Sequence, residues 1–266
     1  MRILCLAKPV PDVDGFQYDY ETNTLVRENV HMILNPEDAT ALAVALDVKR
    51  LVPGTRVETI TMAPESAVPH LEDLIRRGVD RAILISDPCY AGSDTFVTSR
   101  ILSRCIEDRS YDWIFGGSHS LDGGTAHVPG QVAQCLDLPQ MSNIIEVDRD
   151  SLTGGPAVVE VDTEEAVLRF EMDRPALLGF QYSTTRKLPY IRYEDIDRDV
   201  RGRIRMVDNS ELGFDRSEVG LQASLTRVAK IEVKTLHRKD TLVVGNDDEG
   251  IEAVYQILKR RGFLAS

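Results

Sequence analysis

The chain has 266 residues, a net charge of −12, and 42% apolar and 28% charged residues. That length suits one large domain or a domain with an extension, and the acidic excess argues against a nucleic-acid role, because a phosphate backbone would be repelled. No window approaches the roughly 18 successive apolar residues of a membrane span, and four scattered cysteines without a CxxC argue against a zinc site, an iron–sulfur cluster or a disulfide framework. A reducing cytoplasm is the simplest compartment for such cysteines.

Taken in chain order, the first 140 residues alternate short apolar runs with helical patterns. Arg2–Ala7 reads as a strand, being too short in its apolar part for a signal peptide. Pro36–Leu51 reads as a helix with Asn35 as cap and Pro36 at its first position. Arg56–Ala63 is a strand, Glu65–Arg77 a helix stopped by Gly78, and Arg81–Ser86 a strand. Ser93–Glu107 is a helix capped by Ser93 or Asp94, Asp112–Gly117 a strand, and Thr125–Leu136 a short helix after a glycine pair. Apolar strands joined through helices make a parallel sheet buried on both faces. The expected fold is therefore α/β, a doubly wound, mostly parallel, Rossmann-like sheet, with its ligand beyond the carboxyl ends of the strands.

The pattern changes after residue 150. Ala157–Asp162 and Ala166–Met172, joined by Thr163-Glu164-Glu165, predict a β-hairpin, and Ala176–Phe180 a further strand. Residues 183–240 carry few periodic signals, and a helix returns over Glu249–Arg261. The expected division is a nucleotide-binding domain over 1–182 and a C-terminal extension over 183–266. A long weakly patterned segment is either an arm lying on a partner chain or a set of surface loops.

The richest chemistry follows the fourth strand, in Gly116-Gly117-Ser118-His119-Ser120-Leu121-Asp122-Gly123-Gly124-Thr125-Ala126-His127-Val128. Two glycine pairs permit close backbone approach, and a helix start behind them offers N–H groups to a phosphate. The spacing is neither Walker A nor GxGxxG, so an anion loop and a tight structural turn both remain open. Leu6-Ala7-Lys8, Asn35 to Asp38 and Met62-Ala63 should reach the same edge. Taken alone, Asn35 reads first as a helix cap, and Lys8 first as a solvated strand-end lysine rather than a phosphate ligand. Ser93, Asp94 and Thr95 read as N-capping or as a second set of polar contacts to an extended ligand. His119 and His127 have no nucleophile elbow or metal spacing beside them, so they read as hydrogen-bond donors. No catalytic residue and no metal ligand is assigned.

At these residues the chain resembles the electron-transfer flavoprotein beta subunits. The likeness runs through Ala7 to Asp12 (the family's VK-x-VPD), Asn35 to Asp38 (NP-x-D), Gly78 to Ala82 (GADRA), Asp122 to Val128, Leu138-Pro139-Gln140, and Val219 to Val228 (GL-x-GSPT-x-V). Housekeeping members bind AMP in this subunit. Electron-bifurcating and nitrogen-fixation-associated members carry a DGDTAQVGP loop and bind FAD there. Gly123, Thr125, Ala126 and Val128 follow the second branch, as does Ala91-Gly92-Ser93-Asp94-Thr95. Gly124 and His127 depart from it.

The resemblance implies a heterodimer. This chain would hold FAD, with AMP as the alternative, and an alpha subunit would hold a second FAD. Electrons would come from a donor such as NADH and leave to the alpha flavin and to a second acceptor such as ferredoxin or flavodoxin. A dehydrogenase or quinone oxidoreductase would dock near Leu188, although the family's usual NEPRY stretch is replaced by Gln181-Tyr182-Ser183-Thr184-Thr185. The implied cofactor ligands are Leu6, Ala7, Lys8, Asn35, Asp38, Met62, Ala63, Ser93, Asp94, Thr95, Gly117, Ser118, His119, Ser120, Asp122, Gly123, Gly124, Thr125, Ala126, His127 and Val128.

Overall fold

Nine strands of the chain line up side by side in one sheet, the central ones buried on both faces. In the computed structural model, residues 1–12, 17–19, 24–26, 31–107, 109–163, 165–183, 185–227 and 242–264 are described, 17–19 and 24–26 by backbone only. In chain order the elements are β1 (Arg2–Leu6), β2 (Pro9–Pro11), β3 (Gln17–Asp19), β4 (Thr24–Val26), β5 (Met32–Leu34), α1 (Pro36–Leu51), β6 (Arg56–Met62), α2 (Val68–Arg76), β7 (Arg81–Ile85), α3 (Thr95–Ile106), β8 (Trp113–Gly117), α4 (Val128–Cys135) and β9 (Gln140–Val147). There follow β10 (Ala157–Asp162), β11 (Val167–Met172), β12 (Ala176–Phe180), β13 (Ile204–Val207), α5 (Asn209–Leu212), α6 (Gly220–Ala223) and α7 (Asp248–Arg260).

The main sheet has nine strands in the order β11-β10-β9-β12-β8-β1-β6-β7-β13. All pairings from β9 through β13 are parallel, and the hairpin β10–β11 runs antiparallel on the outer edge. From β1 the chain crosses to β6 and β7 on one side, then returns to β8 on the other, so the switch point lies between β1 and β8. Helices α1 and α2 cover one face with a core that includes Ile3, Val57, Trp113 and Phe115. Helices α3 and α4 cover the other with Leu4, Ile60, Ile101 and Val132. Alternate residues of one strand thus serve opposite cores, which is why the central strands read as continuous apolar runs. The expected doubly wound α/β fold and its hairpin are present.

Several boundaries differ from the sequence expectation, each for a local reason. The helix expected from Thr125 begins at Val128: Ala126 has a left-handed φ of 55°, which an α-helix does not propagate. The helix expected over Glu65–Arg77 opens with a 3₁₀ turn, Glu65–Ala67, before α2. Strand β9 carried no clear period, and a bulge with Asn143 at φ 59° breaks its alternation. Strand β13 falls inside the stretch read as weakly patterned, yet it adds to β7 as a parallel edge strand. One compact unit therefore runs Met1–Arg227, past the division drawn at residue 182, and a second comprises Val228–Ser266. Within the second unit α7 is capped by Asp247 and shows exposed Ile251, Val254 and Tyr255. Among the described residues, no helix is long and apolar enough to cross a membrane.

Candidate functional site

The ends of β1, β6, β7 and β8 and the starts of α1, α3 and α4 share the carboxyl edge of the sheet. The residues read from the sequence as cofactor ligands lie there, most of them in two hydrogen-bonded groups and one exposed loop.

The first group is built on the start of α1. Asp38 is buried, and its two oxygens accept from the Gly117 N–H at 2.8 Å and the Lys8 N–H at 2.9 Å. It thereby ties the end of β8 to the end of β1 across the switch point. Burial pushes the Asp38 carboxyl up to about 7, against the pull of these N–H groups and Asn35. Glu37 accepts from the His119 N–H at 2.7 Å and lies 3.1 Å from His119 Nδ1. Burial raises its pKa as well. Asn35 occupies the cap position but makes no side-chain cap bond. Instead it accepts from the Leu121 N–H and donates to the His119 carbonyl, both at 3.0 Å. The Asn-Pro-Glu-Asp segment is thus a clip holding the loop after β8, a role the sequence reading of Asn35 and Asp38 as ligands did not contain. No one-dimensional signal marks it, because the partners lie 79 to 86 residues away.

Gly117 is fixed by the same clip. A Cβ there would meet Asp38 Oδ1 and Glu37 Cβ at 2.6 Å each. Ser118 is buried, donates its N–H to Phe180 and accepts from the Asn143 N–H at 2.9 Å, which explains the left-handed turn in β9. Leu6 and Ala7 are buried strand-end residues. The Ala7 carbonyl accepts from Thr61 Oγ1 at 2.7 Å. Met62 and Ala63 are half-buried at the end of β6.

The second group seals the start of α3. Asp94 is its cap: one oxygen accepts from the Val97 N–H at 3.0 Å, the other from Thr226 N–H and Oγ1 at 2.9 and 3.1 Å. Ser224 Oγ accepts from the Asp94 N–H at 2.8 Å and lies within 3.0 Å of the Gly92 carbonyl. Ser93 Oγ donates to the Tyr90 carbonyl at 2.7 Å. Gly92 and Gly220 take left-handed φ values of 77° and 67°, and a Cβ on Gly220 would lie 2.4 Å from the Cys89 carbonyl. The segment 220–226, whose sequence resembled a family motif, is therefore strapped over the start of α3, and Asp94 is engaged by it. Thr95 is half-buried beside it.

The loop from Leu121 to His127 is exposed throughout. Lys8 Nζ reaches both oxygens of Asp122 at 2.8 Å. Burial works against the Asp122 charge, but Lys8 and Ser120 outweigh it and hold the carboxyl below its usual range. Gly123 donates to Asp122 Oδ1 and has only Ser120 Oγ, at 3.5 Å, near a would-be Cβ. Gly124, at φ 59°, has open space around it. Helix α4 has no side-chain cap at His127. The N–H groups of Thr125, Ala126, His127 and Val128 have no protein partner among the described residues. Uncapped N–H groups at a helix start, behind glycines that admit close approach, are the elements of an anion cradle. A nucleotide phosphate fits that donor set.

Leu188, named as a partner contact, packs against the main core, and Arg77 donates to the neighbouring Pro189 carbonyl at 2.6 Å. Tyr190 and Tyr193 stand out instead, at 90% and 93% exposure.

A family model described as "Electron transfer flavoprotein domain" matches residues 22–210. The chain is 32% identical over 265 residues to the electron transfer flavoprotein subunit beta of Thermoanaerobacterium thermosaccharolyticum, covering 98% of this chain and 99% of that one. It is 34% identical over 232 residues to the caffeyl-CoA reductase-Etf complex subunit CarD of Acetobacterium woodii, covering 86% of each. To Protein FixA of Azotobacter vinelandii it is 34% identical over 257 residues, covering 93% of this chain and 89% of that one.

Proposed function

The chain belongs to the electron transfer flavoprotein family as a beta subunit, and from that premise we propose that its carboxyl-edge loop binds FAD. Paired with an alpha subunit holding a second FAD, it would pass electrons from a donor such as NADH to the alpha-subunit flavin and to a second acceptor such as ferredoxin or flavodoxin. The observation that carries the reading is the uncapped start of α4 behind Gly123 and Gly124, which supports an anion at that point. The likeness to CarD and FixA supports a branch in which this site serves electron traffic.

Thr125 to Val128 would present main-chain N–H groups to the pyrophosphate. Lys8, now held by Asp122, would neutralise part of its charge. Gly123 and Gly124 would let the ligand lie against the backbone without a side chain between. Asn35, Glu37 and Asp38 would hold this loop in register without touching the ligand. When bound, the flavin supplies the electron-carrying chemistry, and the protein supplies binding, orientation and electrostatic tuning. A protein whose residues act as ligands needs no general acid or base for that work.

The alternative occupant of the same cradle is AMP, which would make the chain a structural subunit. Denaturing the purified heterodimer and separating the released nucleotides decides between them. Two FAD per heterodimer is the expected result. One FAD with stoichiometric AMP would overturn the assignment.

A further inference from the structure

At the opposite, amino-terminal end of the sheet lies a depression of about 270 Å³, lined by Arg56, Glu58, Asp80, Arg81 and Arg203. Arg56 opens β6, Arg81 opens β7, and Arg203 stands just before β13. These strands are parallel neighbours. The register pairs Glu58 with Arg81, and Ile204 with Ala82, so Arg203 falls beside Arg81. Val57, Ala82 and Ile204 belong to the core under α1 and α2, so the alternating residues Arg56, Glu58, Arg81 and Arg203 share the other face.

Both carboxylates in the depression already have partners. Glu58 accepts from Tyr111 at 2.7 Å and pairs with Arg2 at 3.5 Å. Asp80 accepts from the Val57 N–H at 2.8 Å and pairs with Lys49 at 2.7 Å. None of the three guanidinium groups of Arg56, Arg81 and Arg203 has an ion pair or side-chain hydrogen bond among the described residues. Like charges in adjacent strand register are destabilising, and in a chain of net charge −12 a counter-ion from the protein itself is readily at hand. A neighbouring depression shows the usual solution: there Arg104 pairs with Glu107, and Arg205 with Glu211.

We propose that Arg56, Arg81 and Arg203 form a binding site for a phosphate-bearing small anion, separate from the carboxyl-edge nucleotide site. Guanidinium groups bind phosphate oxygens through paired N–H donors, and three of them around one depression suit a diphosphate better than a single charge. The site does not depend on what occupies the other edge.

The test is calorimetric titration of the full chain with its alpha subunit, using inorganic pyrophosphate in one arm and adenosine diphosphate in the other, at physiological salt. One pyrophosphate per chain is expected at this end. Arg81→Gln and Arg203→Gln should each weaken it by about tenfold or more, while Arg192→Gln, an exposed control elsewhere, leaves it unchanged. Equal affinity for the two probes would mean that phosphate groups alone are recognised, and tighter adenosine diphosphate that a nucleoside adds contacts; both support the site if the arginine variants abolish them. Absence of pyrophosphate binding, or equal weakening by Arg192→Gln, would overturn it. If binding is seen, amide exchange of Arg81 and Ala82 should slow with pyrophosphate, and unaltered exchange there would place the ligand elsewhere and refute the proposal.

Discussion

Two helices start at the carboxyl edge behind glycine-containing loops, and they are finished in opposite ways. At α3 the chain satisfies itself: Asp94 caps the helix, and Ser224 and Thr226 close over the cap. At α4 nothing of the described chain does so, and the preceding residues 121–127 are exposed. The same local ingredients, a glycine, a hydroxyl residue and a helix start, thus give a sealed joint in one place and an open cradle in the other. What separates them is tertiary: one has a strap from 130 residues further along the chain, and the other has only the Asn35-Pro36-Glu37-Asp38 clip beneath it. The uncapped helix start is the informative one, because its exposed N–H groups stay free for an anion.

The comparison is broken most severely at Gly117, on which the clip closes. Gly117→Ala would push a methyl into Asp38 and Glu37 and separate Asp38 from the N–H groups it holds. We expect a loss of about 3 kcal/mol or failure to fold, read by thermal unfolding through Trp113, the single tryptophan, buried at the start of β8. A variant of near wild-type stability would mean the clip does not set the geometry of this edge.

Asp38→Asn comes next. One amide oxygen replaces two acceptors, so one of the Lys8 and Gly117 N–H groups loses its partner, at a cost of about 2 kcal/mol. The variant also removes a titration. Because burial raises Asp38 above its unfolded value to about 7, the folded state holds the proton more tightly. That contribution to stability is fully present below the unfolded value and is lost as pH rises through about 7. Denaturant titrations from pH 4 to 8 should show a falling component in the wild type that is absent in Asp38→Asn. Parallel pH profiles would show that Asp38 titrates normally.

Much of this architecture is legible in the sequence, and the failures are instructive. The central strands β1, β6, β7 and β8 announce themselves because burial on both faces demands unbroken apolar runs. The hairpin is visible from the spacing of its two runs. Strand β9 is not, since its burial is irregular and Asn143 interrupts the pleat. Strand β13 has four residues with a charged arginine among them. At the site, the glycine loop is readable as a loop, but the division of labour is not. Asn35 and Asp38 look like ligands or caps in one dimension, and only long-range hydrogen bonds make them supports.

The sealed end is probed more gently by Ser224→Ala, which leaves the Asp94 N–H without its acceptor. A loss of about 1 kcal/mol is expected, together with faster proteolysis within 220–227 and no change in nucleotide content. Loss of nucleotide from this variant would mean the start of α3 takes part in binding.

The open end gives the smallest effect on stability and the largest on function. Gly123 has room for a side chain in the protein itself, with Ser120 Oγ at 3.5 Å as its one near neighbour. Gly123→Val should therefore shift stability by no more than about 0.5 kcal/mol, while its side chain occupies the space the ligand needs. The decisive measurement is the nucleotide released on denaturing the Gly123→Val heterodimer beside the wild type. The cradle at α4 predicts two FAD from the wild type and one from the equally stable variant. Two FAD from both, in well-folded heterodimers, would contradict it and move the binding site away from this loop.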